Sequence, residues 1–266
     1  MANFKRTIWE SRLVENYNEI SVLHLLTTAP TEMDGQSITF NRVGAGTVSQ
    51  YEGSINWEDI DTEPVSMTFE HKYYFAGKID DIDKAQTNLA IVDAFAADQV
   101  AEMSTKADTY TYAKYVAGAG TKKSNVAFST PEDLYNAIVD LGTALGKKKV
   151  PIANRYVVIG WDALGLLCKD KRFTHNPDVL VNGIVNGQKI NGMTIVVSAN
   201  IADNTILAFY KGAVGFGQQI QKVEGLRLQD AFADGVRGLN VAGAAVLNPN
   251  GVASLTYTMG IESGSY

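Results

Sequence analysis

The sequence predicts an α+β fold, and three observations carry the prediction. Two strand-like stretches with period-two alternation flank an acidic segment. One long helical pattern follows, and the remainder alternates apolar strand segments with short helices. Within residues 36–41, Ile38 and Phe40 share one face. Within residues 65–75, Val65, Met67, Phe69, Tyr73 and Phe75 form the apolar face, with Ser66, Thr68, Glu70 and Lys72 opposite. A two-stranded ribbon is at best marginally stable alone in water. It needs a surface to lie on, and an elongated subunit finds one in a neighbouring copy. The pattern points to assembly ahead of catalysis.

Each element follows in order. Residues 1–33 carry Ile8, Trp9, Leu13, Val14, Ile20, Val22, Leu23, Leu25 and Leu26 without a clean period. That is too apolar for a disordered tail, and an arm that docks on other parts of an assembly fits better. Between the two strands, residues 44–64 hold Glu52, Glu58, Asp59, Asp61 and Glu63 and no lysine. Trp57 and Ile60 interrupt the acids, so the segment reads as an extended tip that docks by charge and a few apolar anchors.

A helix is predicted to begin near Asp83 or Thr87, both acceptable caps, and to run uninterrupted by Gly or Pro from Lys84 to Ala117. Leu89, Val92, Ala96, Val100, Met103, Ala107 and Tyr110 recur at steps of three and four. The rod is roughly 45 Å long at 1.5 Å per residue, well above the usual helix of about 11–12 residues. After a polar stretch at 121–129, Thr130, Pro131, Glu132 and Asp133 give a cap, a first-turn proline and first-turn acids. Leu134, Ile138, Leu141 and Leu145 form that helix's stripe, and Gly146 closes it. Residues 155–160, 192–198 and 205–210 read as core strands, a short helix spans 161–169, and 215–220 continues the sheet. Residues 235–246 and 252–259 look like two last strands around the turn Asn248-Pro249-Asn250-Gly251.

Composition sets the outer bounds. Of 266 residues, 45% are hydrophobic, enough for one large domain or two small ones. A net charge of −6 argues against a dedicated nucleic-acid surface, which needs clustered Lys and Arg. The basic run Lys147, Lys148, Lys149 sits past a helix end, where cations complement the dipole. The single cysteine, Cys168, excludes an intrachain disulfide and reads as a small buried hydrophobe beside Leu166 and Leu167. No stretch reaches the roughly 18 apolar residues of a membrane span, and the N-terminus lacks a signal-peptide core. The expectation is a soluble protein made in a reducing cytoplasm.

Motifs for chemistry are missing. Gly44-Ala45-Gly46 and residues 117–124 match neither a phosphate loop nor a dinucleotide fingerprint. His24, His71 and His175 have no ligand spacing. Asp80, Asp81 and Asp83 lack the glycine and distal glutamate of a calcium loop, and acids before a helix N-terminus explain them better. No nucleophile elbow occurs. The sequence offers no catalytic, cofactor-binding or metal-binding residues.

The order of arm, acidic-tipped ribbon, long helix, α/β unit and returning strands resembles the major capsid proteins of tailed bacteriophages. The matching stretches are residues 35–40 and 65–83 for the ribbon, 84–117 for the spine helix, 130–200 for the axial unit and 234–243 for the returning strand. The resemblance implies a Hong Kong 97-like α+β capsid fold. Its divisions would be an N-terminal arm (1–33), an E-loop ribbon (34–78), a peripheral domain with the spine helix (79–125), an axial α/β domain (126–225), and returning strands of the peripheral domain with the C-terminal segment (226–266).

It implies a non-enzymatic shell subunit, made in the host bacterial cytoplasm and resident in the virion. Copies would form pentamers and hexamers of an icosahedral shell around phage DNA, which they would touch weakly and without sequence preference. A portal is an implied partner. Only about thirty residues precede the ribbon, so a separate scaffolding protein is expected as well. Intersubunit contact is expected at Glu52, Trp57, Glu58, Asp59, Asp61, Glu63 and Trp9, with Lys106, Lys114, Lys122 and Lys123 as partners for the acids. Some relatives crosslink through a ribbon lysine, but residues 35–71 contain none, so contact by charge and packing is expected. Rival readings are an encapsulin-type nanocompartment shell, an α/β enzyme with the ribbon as a lid, and a tail-tube or adaptor protein.

Overall fold

The computed structural model describes residues 21–30, 37–43, 50–51, 53, 57, 59, 62–80, 89–174, 180–181, 184–227 and 233–260. In chain order these form α1 (Leu23–Leu26), β1 (Ser37–Val43), β2 (Thr62–Thr68), β3 (His71–Asp80), α2 (Leu89–Gly118), β4 (Thr121–Phe128) and α3 (Pro131–Lys147). Then come β5 (Arg155–Ile159), α4 (Trp161–Leu167), α5 (Lys171–Thr174), β6 (Leu180–Val181), β7 (Ile184–Ile190), β8 (Met193–Val197) and β9 (Thr205–Tyr210). The chain closes with β10 (Val214–Arg227), β11 (Ala233–Val246) and β12 (Val252–Met259). Three sheets result: the ribbon β1-β2, a small sheet β10-β11-β3, and a large sheet β4-β12-β9-β5-β8-β7-β6.

The large sheet explains the apolar runs. Its central strands are buried on both faces, so successive side chains enter different cores. Val157, Ile159, Ile195, Val197, Ile206, Ala208, Ala253 and Leu255 pack on the α3 side with Leu134, Ile138, Leu141 and Leu145. Val158, Val196, Leu207, Phe209 and Val252 pack on the other side with Ala107, Tyr112 and Tyr115 of α2. The α3 start is built as the sequence indicates: the Asp133 carboxylate accepts from the backbone N–H of Thr130 and of Ser129, each at 2.8 Å. Those bonds hold its pKa below the usual aspartate range. At the other end of α3, buried Arg155 donates to the carbonyls of Gly142 (3.2 Å), Pro151 (2.8 Å) and Val150. A guanidinium there meets the negative end of the helix dipole.

Several expectations change. Residues 65–75 are two strands, because β2 pairs with β1 while β3 pairs with β11 in the small sheet. The polar stretch 121–129 contains the edge strand β4, parallel to β12; Lys122 and Lys123 suit an edge, where charge discourages further pairing. The segment 215–220 belongs to β10 in the small sheet rather than continuing the core sheet. The two closing strands do not pair with each other: β11 lies in the small sheet and β12 between β4 and β9. The 3₁₀ turn Pro249–Gly251 between them is closed by Asn250 N–H donating to Asn248 Oδ1 at 3.1 Å. Sheet membership therefore crosses the expected divisions at 125/126 and 225/226. Cys168 is exposed rather than buried, since Leu166 and Leu167 take the inner face of α4.

Of the N-terminal stretch, residues 21–30 pack on their own subunit, while residues 1–20 lie outside the described residues. Leu23 and Leu26 are buried beside Val214 and Phe216. Thr28 bridges the free edge of β10, donating to the Val214 carbonyl (3.1 Å) and accepting from Phe216 N–H (3.2 Å). Burial of the two leucines holds this single turn on the body.

The ribbon base is likewise supported at home. Met67 and Phe69 are buried with Val241, and Ile38, Phe40, Leu239 and Ala245 pack partly against them. Gly217 and Gly243 face each other in register on β10 and β11. A Cβ added at Gly243 would stand 2.9 Å from Phe69 Cδ1 and 2.9 Å from the Thr68 carbonyl oxygen. One added at Gly217 would meet Met67 Cε at 3.0 Å and Pro30 Cγ at 3.2 Å. The paired glycines make a seat for the base of the ribbon. Gly243→Val is expected to destabilise the subunit by about 1–3 kcal/mol through overpacking, read by chemical denaturation, and to raise proteolysis at residues 62–70. Unchanged stability and cleavage would contradict the seat.

Candidate functional site

The ribbon is regular where it leaves the body. Ile38 pairs with Met67, Phe40 with Val65, and Arg42 with Glu63. Thr39 and Ser66 hydroxyls lie 3.5 Å apart, and the Arg42 guanidinium forms an ion pair with Glu63. Glu63, expected at a subunit contact, is thus held within its own ribbon. Beyond it the tip presents large side chains to solvent. Trp57 is 91% exposed and Tyr51 72% exposed, with Asp59 also exposed. Gly53 adopts φ +96°, a left-handed conformation that suits glycine. Trp9, Glu52, Glu58 and Asp61 lie outside the described residues. An indole this free of contacts carries a large unburied apolar area, of the order of 200 Å².

The expected basic partners all have neighbours in their own subunit. Lys106 Nζ lies 2.9 Å from Glu102 and 5.8 Å from the Tyr73 ring centre. Lys114 Nζ lies 3.4 Å from Glu70 and 5.5 Å from the Tyr110 ring centre. His71 fills the space between, its ring 4.3 Å from Tyr73 and 4.6 Å from Tyr110, and burial lowers its pKa. Lys122 donates to the Ala117 carbonyl at 2.6 Å, and Lys123 pairs with Asp140 at 3.1 Å. These pairs are exposed, and such pairs contribute about 0–1 kcal/mol each. They can therefore be exchanged for a contact with another chain at little cost. The structure brings Lys106 and Lys114 onto one face of α2 with two tyrosines and leaves Lys122 and Lys123 on the large-sheet edge.

Two features escaped sequence reading. Tyr74, 78% exposed, stands beside Leu239 and near Lys72 on the outer face of the small sheet; the alternation that put Lys72 outward was the available signal. Asp108 lies on the buried face of α2 with Ser104 and Thr111. A polar residue in an apolar stripe was the signal there, hidden because the stripe drifts around so long a helix. In the groove of ≈ 180 Å³ between β4 and α3, the polar groups serve the fold. Lys123 and Asp140 are paired, Asp133 caps α3, and Asn136 accepts from Arg172 at 3.1 Å.

The family model described as phage capsid protein matches residues 18–259. No curated protein matches the sequence. The fold is similar to that of a chain from Mycobacterium phage Che8, with a TM-score of 0.67, 24% identity, and coverage of 84% of this chain and 85% of that one. For the capsid of the Cyanophage P-SCSP1u the TM-score is 0.72 at 17% identity, covering 88% and 87%. For the virus-like particle from Pyrococcus furiosus it is 0.67 at 13% identity, covering 94% and 99%. At these identities the likeness speaks for the fold, which is the Hong Kong 97 type; with the family model spanning most of its length, the chain belongs to the phage capsid protein family.

Proposed function

We propose that this chain is the major coat subunit of an icosahedral shell, built from pentamers and hexamers around packaged double-stranded DNA. The observation that carries the reading is a ribbon seated at its base on its own small sheet while its tip presents Trp57 to solvent, in a chain of the phage capsid family. The seat fixes where the ribbon leaves the body, and the tip's exposed indole and acids supply the contact. Its receiver on a neighbouring copy is the tyrosine-and-lysine face formed by Tyr110, Lys106 and Lys114 of α2 with Tyr73 of β3. Aromatic stacking and charge complementarity both favour that match.

The peripheral part then comprises the small sheet with α2, and the axial part the large sheet with α3 to α5. A scaffolding protein and a portal complete the set of partners, and contact with DNA is weak and non-specific. A second reading, an encapsulin-type nanocompartment shell, draws support from the match to the virus-like particle over nearly the full length of both chains. Portal and terminase genes beside this one favour the first reading; a cargo-enzyme gene favours the second.

Electron microscopy of the purified protein is expected to show closed icosahedral particles; a monomer under all assembly conditions would refute the reading. Reversing the tip charge with Glu58→Lys, Asp59→Lys and Asp61→Lys together is expected to block or misdirect assembly, because like charges across an interface cost roughly several kcal/mol. Glu63 is left out of that variant, since it holds Arg42. Normal particles from the reversed protein would reject the acidic tip as a contact. Residues 35–71 lack lysine, so denatured particles are expected to run as a single band in electrophoresis. A ladder of joined subunits would show a covalent bond instead.

A further inference from the structure

Asp108 is buried in α2, 5% exposed, and its surroundings differ from those of the other deeply buried aspartate, Asp170. Asp170 lies against the Arg172 guanidinium at 2.6 Å. Asp108 has no cation beside it among the described residues. Its Oδ1 accepts from the Ser21 hydroxyl at 2.9 Å and its Oδ2 from the Asn200 amide at 3.3 Å. On its own helix, Tyr112 is the titratable group that senses its charge; that phenol is buried, its pKa pushed well up, so it stays neutral. The groups facing the carboxylate are thus a hydroxyl from the N-terminal segment, an amide from the β8–β9 connection and a neutral phenol.

Two of those three walls are fixed. The helix is packed against strands of both the small and the large sheet, and Asn200 follows a central strand. The third wall, residues 21–30, is held by Leu23 and Leu26, by the Thr28 bridge and by Lys211 Nζ donating to the Leu25 carbonyl at 3.0 Å. We propose that Asp108 is a proton-operated fastener, holding residues 21–30 tightly against α2 when protonated and loosening them when ionised. An ionised carboxylate without a counter-charge is costly in the interior, and lifting the segment lets water reach it. The protonated acid carries no such cost.

Burial pushes the Asp108 pKa up to about 6 from an ordinary 3.8. A raised folded-state pKa means that the added stability is fully present below about pH 3.8 and is lost as pH rises through about 6. The fastener therefore works across the neutral-to-mildly-acid range. It also reaches the ribbon: Pro30, at the end of the segment, packs near Gly217 in the seat that holds Met67 and Phe69.

Hydrogen exchange of the full-length chain at pH 7 and pH 5, corrected for intrinsic rates, tests this. Protection of residues 21–30 is expected to rise roughly tenfold at pH 5 in the wild type. In Asp108→Asn the rise should be absent. Equal wild-type protection at both pH values, or the same rise in Asp108→Asn, would overturn the proposal. The wild-type series needs no variant, so the idea stays testable if Asp108→Asn does not fold. Ser21→Ala removes a donor that favours the ionised form, and it should enlarge the rise; an unchanged rise counts against the fastener.

Discussion

One face of the long helix α2 has to serve two sheets at once, and the rest of the architecture depends on that shared wall. The face carries small side chains, Ser104, Ala107 and Thr111, and two tyrosines, Tyr112 and Tyr115, each almost fully buried. Tyr115 touches Phe209 of the large sheet, with ring centres 5.9 Å apart, and donates to the Gly215 carbonyl of the small sheet at 3.0 Å. A single side chain thus spans both. Burial of a tyrosine removes on the order of 200 Å² from water, worth roughly 5 kcal/mol before entropy and denatured-state structure are discounted. The helix is less a spacer than a wedge that sets one sheet against the other.

The ribbon is held by a different device. Glycines on facing strands remove the Cβ layer from the small sheet, and Phe69 and Met67 occupy the space. A second glycine on β11 repeats the theme: Gly238 lies opposite Phe75, whose ring covers it so closely that a Cβ there would be 2.2 Å away. Aromatic rings laid over strand glycines restore the packing that glycine forfeits. Glu70, at the bend between β2 and β3, then pairs with Lys114 of the wedge helix. Ribbon, small sheet and helix meet at one corner, so the ribbon's direction follows from the body's own packing. That alters the argument from marginal ribbon stability, since the base already packs on its own subunit.

How far this was legible follows from the kind of signal each element carries. Strands buried on both faces, such as β9, announce themselves as apolar runs, and the Thr130–Asp133 cap is a local motif. The N-terminal half of the assembly pattern was legible as alternation and length. Sheet membership was not. Residues 65–75 alternate without interruption, yet the chain changes partners at Phe69, because alternation reports a face and says nothing of which strand lies alongside. β4 was missed for the reverse reason, since an edge strand can be polar. Leu23 and Leu26 showed that the N-terminal segment would dock, but composition cannot say on which molecule. The acids of the tip were visible as a set, whereas the capture of Glu63 by Arg42 is a matter of register.

The balance of forces at the surface bears on how a shell subunit can assemble and still correct mistakes. In the proposed contact, Lys106 and Lys114 trade Glu102 and Glu70 for the acids of another copy. Exposed pairs contribute about 0–1 kcal/mol on either side of that exchange, so the swap is nearly neutral and weakens as salt rises. Charge therefore selects and orients. Net affinity has to come from covering Trp57 and Tyr51, whose area at about 25 cal/mol per Å² amounts to roughly 8 kcal/mol for each ribbon before the ordering and association costs that consume most of it. A contact of that size is weak alone and strong only when every subunit in a ring gives and receives one. The same weakness lets a misplaced subunit leave before its neighbours close around it.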